Sequence, residues 1–149
     1  MYYNKTRKHI NIIDYRDFHK LPTNSDFILY YPSSYTENGL SGHYIAVINK
    51  PHIIYYYDSY GFVPNYIKHY KFTDINLYNE MRSNFITELL KCGKTIDYNN
   101  YKHQDNNSST CGRHCLMRIL KNDLDTEQYN KFITKNKIKP DDIVSIVFH

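Results

Sequence analysis

Two apolar runs separated by a short polar break constrain the fold of this chain more than any other feature. Residues 44–49 and 53–58 are rich in β-branched and aromatic side chains, and Lys50-Pro51 lie in the break between them. Runs of this kind are typical of strands, and a break this short joins two strands as an antiparallel hairpin. The sequence therefore predicts a sheet built around this hairpin.

The hairpin also predicts that two chemically active side chains meet. If the chain turns about Lys50-Pro51, His43 lies opposite Asp58, and a four-residue loop from Asn49 to His52 keeps the same pairing. Directly opposed residues of an antiparallel pair share one face, with Cβ atoms about 4.5–5.5 Å apart. We therefore expect a hydrogen bond between the His43 imidazole and the Asp58 carboxylate at one end of the sheet.

The remaining segments complete an α+β pattern. Further strands are predicted over residues 26–31 and 95–98, with polar loops over 32–42 and 99–110. Apolar periodicity and start signals predict helices over residues 75–90, 111–121, 125–136 and 140–148. Gly93 supplies the left-handed cap expected after the first of these helices. We predict a single α+β domain spanning residues 1–149, with a small antiparallel-containing central sheet flanked by helices.

Cys111 is predicted to lie in the first turn of a helix, because residues 108–110 are Ser, Ser and Thr, which are preferred N-caps. The positive end of the helix dipole favours a thiolate at that position. The pKa of a free cysteine is about 8.5, and a helix N-terminus or a nearby His⁺ lowers it to about 3.5–7.5. Gly112 would let a substrate backbone approach closely. Cys115, one turn later, fits the buried face of the same helix.

Gln104 lies in the polar loop seven residues before Cys111. Its side-chain amide is suited to donate to an oxyanion beside the backbone N–H of Cys111, and each such donor supplies about 2.7–4 kcal/mol. With His43 as base and Asp58 as its orienting acid, these residues are the parts of a thiol hydrolase. Each has a plainer interpretation alone: a strand histidine, a turn aspartate, a solvated glutamine and a thiol at a helix start.

The sequences around these four residues resemble the adenovirus endopeptidase (adenain) and ubiquitin-like-protein protease clan of cysteine peptidases. The shared pattern is Gly-His-aromatic at residues 42–44, an acid in the Asp-Ser-Tyr-Gly turn at 58–61, then Gln104, then Cys-Gly at 111–112. The resemblance runs from residue 42 through the helix predicted to begin at Cys111. The seven-residue spacing from glutamine to cysteine is similar to the viral branch of the clan.

The resemblance implies an adenain-like fold with the nucleophile at a helix N-terminus. It also implies one role for each residue: His43 as general base, Asp58 as orienting acid, Gln104 as oxyanion donor and Cys111 as nucleophile. Two positions depart from the viral pattern. Tyr44 stands where the family commonly has tryptophan, and Asp58 matches the ubiquitin-like-protein branch, whereas adenovirus enzymes carry glutamate.

The activity implied by the resemblance is that of a cysteine endopeptidase acting on capsid or other virion precursor proteins, commonly at Gly-Gly-type sites. No cofactor is implied, and an activating peptide or DNA is suggested by analogy with adenovirus enzymes alone. Cys92 falls near the position at which those enzymes form a disulfide with their activating peptide, but we favour a free thiol at a helix end. The implied location is the virion or the cytoplasm or nucleus of an infected cell.

Three other functions use the same residues or the same fold. The nearest is an isopeptidase of the deubiquitinase or deSUMOylase type, acting on ubiquitin-like modifiers. An acetyltransferase is a lower-ranked alternative, because no segment of the sequence stands out as a site for coenzyme A or inositol phosphate. A non-enzymatic scaffold would not need all four chemical positions, which are intact here.

Composition narrows the class of protein. Apolar residues make up 41% of the chain, and the net charge of +4 is most simply a solvated surface, although an acidic or nucleic-acid partner stays open. The chain has three cysteines without a disulfide framework or a zinc-binding spacing, which suits a reducing compartment. The N-terminal segment lacks the apolar run of a signal peptide, and no stretch is long enough to span a membrane. We therefore expect a non-secreted globular protein with no membrane partner.

Overall fold

The computed structural model describes residues 2–3, 8–15, 17, 22, 24–36, 39–62 and 90–148. The helix predicted over residues 75–90 lies outside these ranges except for Leu90, which is helical. The cap predicted after it is present, because Gly93 has a φ of 73° and its N–H donates to the Leu90 carbonyl at 3.0 Å. Only glycine adopts this left-handed conformation without strain.

The described residues form an α+β arrangement of seven strands and three helices. The strands are β1 (Tyr2–Tyr3), β2 (Lys8–His9), β3 (Asn11–Asp14), β4 (Phe27–Thr36), β5 (Gly39–Asn49), β6 (Ile53–Tyr57) and β7 (Thr95–Tyr98). The helices are α1 (Cys111–Leu120), α2 (Thr126–Thr134) and α3 (Pro140–Val147). The predicted α+β class is confirmed, and the predicted β7 has the observed bounds.

The main sheet has five strands in the order β3-β4-β5-β6-β7, and β1 and β2 pair separately. The two central pairs are antiparallel, as predicted, whereas the outer pairs β3–β4 and β6–β7 are parallel. Strand β3 was not predicted; its burial does not alternate along the strand, so the two-residue period of a half-buried strand is missing. The sheet is therefore mixed, with the predicted hairpin at its centre.

The polar loop predicted over residues 32–42 is wrong, since most of this segment is strand. β4 continues to Thr36 and β5 begins at Gly39, with a register shift between Pro32 and Ser34. Proline lacks a backbone N–H and is tolerated in a sheet at such a bulge, so Pro32 interrupts the ladder without ending it. The strand pair thus extends past His43, which lies within the sheet and not at its end.

The predicted hairpin register is also wrong, by two residues. Ala46 pairs with Tyr57, whereas a turn centred on Lys50-Pro51 would pair it with Tyr55. The Lys50 N–H donates to the Ile53 carbonyl at 3.0 Å, which makes Pro51 the first of two central turn residues. Proline is favoured at that turn position because its φ is preset. A shift of two residues leaves every side chain on its predicted face.

The three helices begin and end within two residues of their predicted bounds. Asp125 caps α2 through a reciprocal hydrogen-bond pair with Gln128, and Pro140 occupies the first turn of α3. Helix α1 packs against β5, and its buried Cys115 and Ile119 join the apolar core between helices and sheet. This packing sets the first residue of α1 beside the middle strand of the sheet.

Candidate active site

The His43 imidazole and the Asp58 carboxylate form the predicted hydrogen bond. The His43 Nε2 lies 2.9 Å from the Asp58 Oδ1, and both side chains are buried. Asp58 directly follows β6, where the chain leaves the sheet and turns, so its side chain reaches His43 despite the shifted register. The backbone N–H of Tyr60 also donates to Asp58 Oδ1 at 2.9 Å, which fixes the carboxylate from a second side.

Gly42 explains how the strand carrying His43 can lie where it does. A Cβ atom at Gly42 would lie 2.0 Å from the Tyr31 carbonyl oxygen, far inside van der Waals contact. Strands β4 and β5 approach this closely beside the bulge, and His43 pairs directly with Tyr31. A glycine before the histidine is therefore a requirement of the backbone at this point.

Cys111 is the first residue of α1, as predicted, and its half-buried side chain is hydrogen-bonded to His43. The imidazole binds Asp58 through Nε2 and also forms the hydrogen bond with the sulfur. Backbone N–H groups of Tyr44 and Gly112 also donate to the sulfur. The structure thus brings together the predicted acid, base and thiol, with His43 bonded to both Asp58 and Cys111.

Electrostatics favour the ionised forms of both the thiol and the imidazole. Burial raises the pKa of Cys111, but the hydrogen bond and charge of His43 and the two backbone N–H groups outweigh it, so that pKa is lowered. Burial lowers the pKa of His43, but hydrogen bonds to Asp58 and Cys111 raise it from 6.5 to about 9. Both shifts favour a thiolate beside an imidazolium.

Gln104 is buried, not solvated as a loop glutamine usually is. Its backbone N–H donates to the Ser59 carbonyl at 3.0 Å, and the Ser59 hydroxyl donates to Gln104 Oε1 at 2.6 Å. The amide Nε2 is thereby turned the other way, where it donates to the Ser108 carbonyl at 3.0 Å. An amide nitrogen carries two hydrogens, and Ser108 uses one of them. Gln104 is thus tied both to the residue after Asp58 and to the segment before Cys111.

Tyr60 is a residue of the candidate site that the sequence analysis did not identify. Its ring stacks on the His43 imidazole with centroids 4.9 Å apart and an interplanar angle of 23°. The ring covers one side of the imidazole and restricts its rotation. The adjacency of Tyr60 to Asp58 in the turn was the available signal, since the turn folds back towards the strand that carries His43.

The predicted N-cap of α1 is only partly correct. Thr110 occupies the N-cap position, but it makes no side-chain capping bond. Its hydroxyl donates instead to Asp141 Oδ1 at 2.6 Å. Asp141 lies in the first turn of α3 and was not predicted as a site residue, because a contact between segments so far apart leaves no local signal.

Of the other two cysteines, Cys115 lies on the buried face of α1, as predicted. Cys115 is fully buried, and desolvation raises the pKa of its thiol well above the ordinary value. Such a thiol stays protonated and is a poor nucleophile. Cys92 is an exposed cysteine two residues after Leu90. The contrast between Cys111 and Cys115 favours Cys111 as the candidate nucleophile of this helix.

An open cavity of about 310 Å³ adjoins the Cys111 thiol. Its walls combine side chains from the sheet and from α1, and most of its lining surface is apolar; the lining residues are Ile12, Ile28, Tyr44, Ser109, Cys111, Gly112, Arg113 and Leu116. A Cβ atom at Gly112 would lie in ordinary contact with the Tyr44 ring, 3.6 Å away. Cys111 therefore lies on an open, largely apolar cavity.

Two kinds of site are absent from the described residues. No group of three or more His, Cys, Asp or Glu side chains is placed there to hold a metal ion. No helix in the ranges given above has the length and apolar character needed to cross a membrane.

Comparison of the chain with models of known protein families finds no match. The chain is similar to "Uncharacterized protein V9" of Sputnik virophage, with 28% identity over 114 residues. The similarity covers 71% of this chain and 65% of the virophage protein, so the chain spans less than two thirds of the length of that relative. These comparisons therefore show that the chain is similar to a virophage protein.

Proposed function

We propose that this chain is a cysteine endopeptidase with Cys111 as its nucleophile. The observation that carries the proposal is the His43 imidazole, which is hydrogen-bonded to Asp58 through Nε2 and to the Cys111 thiol on its other side. This is the arrangement in which an acid orients a base and the base activates a nucleophile. The fold that we propose to go with it is adenain-like.

At the start of the proposed reaction, Cys111 has transferred its thiol proton to His43. The thiolate sulfur attacks the scissile carbonyl carbon, and the C=O electron pair moves to oxygen. When the tetrahedral intermediate collapses, the C–N bond breaks and His43 gives its proton to the departing amine. Water then gives a proton to His43 while its oxygen attacks the acyl carbon, and the carboxylic acid leaves as the sulfur is released. Asp58 holds the imidazole orientation in every step.

The oxyanion is proposed to bind the backbone N–H of Cys111 and the Gln104 amide. Cys111 is the first residue of α1, and the first N–H groups of a helix have no partner within it. Gln104 supports this assignment because Ser59 fixes its orientation and one amide hydrogen is left beyond the bond to Ser108. Such fixed donors stabilise a charge that develops in the transition state.

The proposed substrates are viral precursor proteins cut at Gly-Gly-type sites. Two observations support this class: the sequence pattern of the viral branch of the clan and the similarity to a virophage protein. The cavity beside Cys111 is open, and its walls include Tyr44 and Leu116. A glycine next to the scissile bond would pass most easily between such walls.

The test is labelling by a peptide vinyl sulfone that ends in Gly-Gly, followed by intact mass measurement. We expect one adduct on the wild type and on Cys115→Ala, and none on Cys111→Ala. Loss of the adduct in Cys115→Ala alone would show that Cys111 is not the nucleophile. Labelling by a full-length diglycine-ended modifier but not by peptides would assign an isopeptidase instead.

A further inference from the structure

A carboxylate on the last helix binds both ends of the loop that separates Gln104 from Cys111. Asp141 is largely buried, and its Oδ2 accepts from the Asp105 backbone N–H at 2.9 Å. Its Oδ1 accepts from the Thr110 hydroxyl at 2.6 Å and from His114 Nε2 at 2.7 Å. Hydrogen bonds to a charged acceptor are about twice as strong as neutral ones.

The two ends of the loop are the residues that adjoin the candidate catalytic groups. Asp105 follows Gln104 directly, and Thr110 precedes Cys111 directly. Within the loop, Gln104 Nε2 donates to the Ser108 carbonyl, and the Ser108 hydroxyl lies 3.1 Å from the Thr110 hydroxyl. The loop is therefore closed on itself and fastened to α3 at both ends.

The Thr110 contact has a second consequence for the sulfur. A capping hydroxyl normally accepts from the N–H of the second or third helical residue, and Gly112 is the second residue of α1. The Thr110 hydroxyl is turned to Asp141 instead, and the Gly112 N–H donates to the Cys111 sulfur. The bond to Asp141 thus leaves a backbone donor for the thiolate.

We propose that Asp141 is a positioning residue for the reaction: by holding Asp105 and Thr110 it sets Gln104 and the Cys111 thiol at their working separation. The inference rests on the proposed function, because it concerns the same nucleophile and the same oxyanion donor. Asp141 acts through the loop and through α1, without contact with substrate. His114, which follows Cys111 by three residues, gives the carboxylate a further attachment to α1.

The first test measures alkylation of Cys111 by iodoacetamide as a function of pH and needs no substrate. Asp141→Ala is compared with Asp142→Ala, which removes an exposed aspartate from the same turn of α3. We expect the acid limb of the Cys111 profile to move to higher pH in Asp141→Ala, because the thiol loses its alignment with His43 and Gly112. The Asp142→Ala profile should overlay the wild type. A merely structural role would lower the unfolding temperature and leave the profile in place.

Each outcome of this experiment is distinct. Coincident profiles for Asp141→Ala and the wild type would overturn the positioning role while the proposed function stands. A wild-type Cys111 that reacts with the profile of an ordinary thiol, with pKa about 8.5, would overturn the proposed function and the inference with it.

A second pair of variants covers the case in which Asp141→Ala does not fold. Thr110→Val replaces the hydroxyl that binds Asp141 with a methyl group, whereas the separate variant Thr110→Ser keeps a hydroxyl at that position. We expect kcat per labelled active site to fall about tenfold or more in Thr110→Val, with KM unchanged, since even a ~1 Å misplacement costs about 100-fold. Thr110→Ser should recover the wild-type kcat. Equal kcat per labelled site in the two variants would overturn the inference.

Discussion

In the described part of the chain, two buried histidine–aspartate pairs share nearly the same geometry and differ in how they hold a proton. His43 Nε2 lies 2.9 Å from Asp58 Oδ1, and His114 Nε2 lies 2.7 Å from Asp141 Oδ1. Burial lowers the pKa of both histidines. The pKa of His43 nevertheless rises to about 9, whereas the pKa of His114 falls below its ordinary value.

The difference lies in what surrounds each pair. His43 has the Cys111 thiol on its other side, and that thiol becomes an anion when the imidazole takes its proton. Among the described residues, Nδ1 of His114 has no hydrogen-bond partner, and the positive charge of His43 further disfavours protonation there. A carboxylate therefore binds a histidine in both places, but only at His43 does a third group, the Cys111 thiol, also raise the pKa.

The largest effect should come from exchanging the two histidines for glutamine in turn. His43→Gln removes the base, and we expect kcat for peptide hydrolysis to fall about 10⁶-fold, as when one member of a catalytic unit is lost. His114→Gln keeps a side-chain donor for Asp141, so its loss should be far smaller. Equal losses of kcat in the two variants, measured per folded molecule, would show that the two histidines do not differ in their contribution to catalysis.

The two aspartates should differ in the same direction. Asp58→Asn presents the wrong hydrogen-bonding group to His43 Nε2, and we expect kcat to fall about 10⁴-fold. Asp141→Asn keeps one acceptor oxygen and loses the other, so kcat should fall only about tenfold through misplacement of the loop. Steady-state rates with active-site titration separate these effects from loss of folded protein. A larger loss in Asp141→Asn than in Asp58→Asn would reverse the roles assigned to the pairs.

Gln104 gives the next smaller effect. Gln104→Ala should lower kcat by about 10²–10³-fold with little change in KM, since the lost donor acts mainly on the oxyanion. Gln128→Ala is the matched control: this exposed glutamine belongs to the capping box of α2 and is remote from Cys111 in sequence. It should lower stability slightly and leave kcat unaltered. A normal kcat in Gln104→Ala would remove it from the oxyanion site.

The pH dependence of kcat/KM should show the window in which both charges exist. The lowered pKa of Cys111 sets the acid limb, and the raised pKa of His43 sets a basic limb at about 9. The same shift affects the free energy of unfolding. The contribution of His43 to that free energy is complete below its ordinary pKa of 6.5 and is lost as the pH rises through about 9. His114, whose pKa is lowered, acts oppositely and costs stability as the pH falls below its ordinary value. A rate that keeps rising above pH 9 would contradict the ion-pair assignment.

Local sequence signals predicted most residues of the candidate site but few of the contacts that hold those residues in place. The helix start at Cys111 follows from capping preference. The contact of His43 with Asp58 was predicted from a strand register that is two residues off, and it forms because Asp58 lies where the chain turns after β6. The true register was within reach, because Pro51 favours the first central position of a turn. The bond between Ser59 and Gln104 and the contacts of Asp141 join segments distant in sequence. No local pattern encodes such contacts, which depend on how the sheet and α3 pack.

The central claim is that Cys111 turns the His43–Asp58 pair into a base, and histidine titration by NMR tests it most directly. Spectra of the wild type, Cys111→Ser and His43→Gln assign the His43 imidazole and report its pKa. We predict a value of about 9 in the wild type, which falls in Cys111→Ser because the thiolate is gone. A wild-type His43 that titrates near 6.5, and does so equally in Cys111→Ser, would contradict the account.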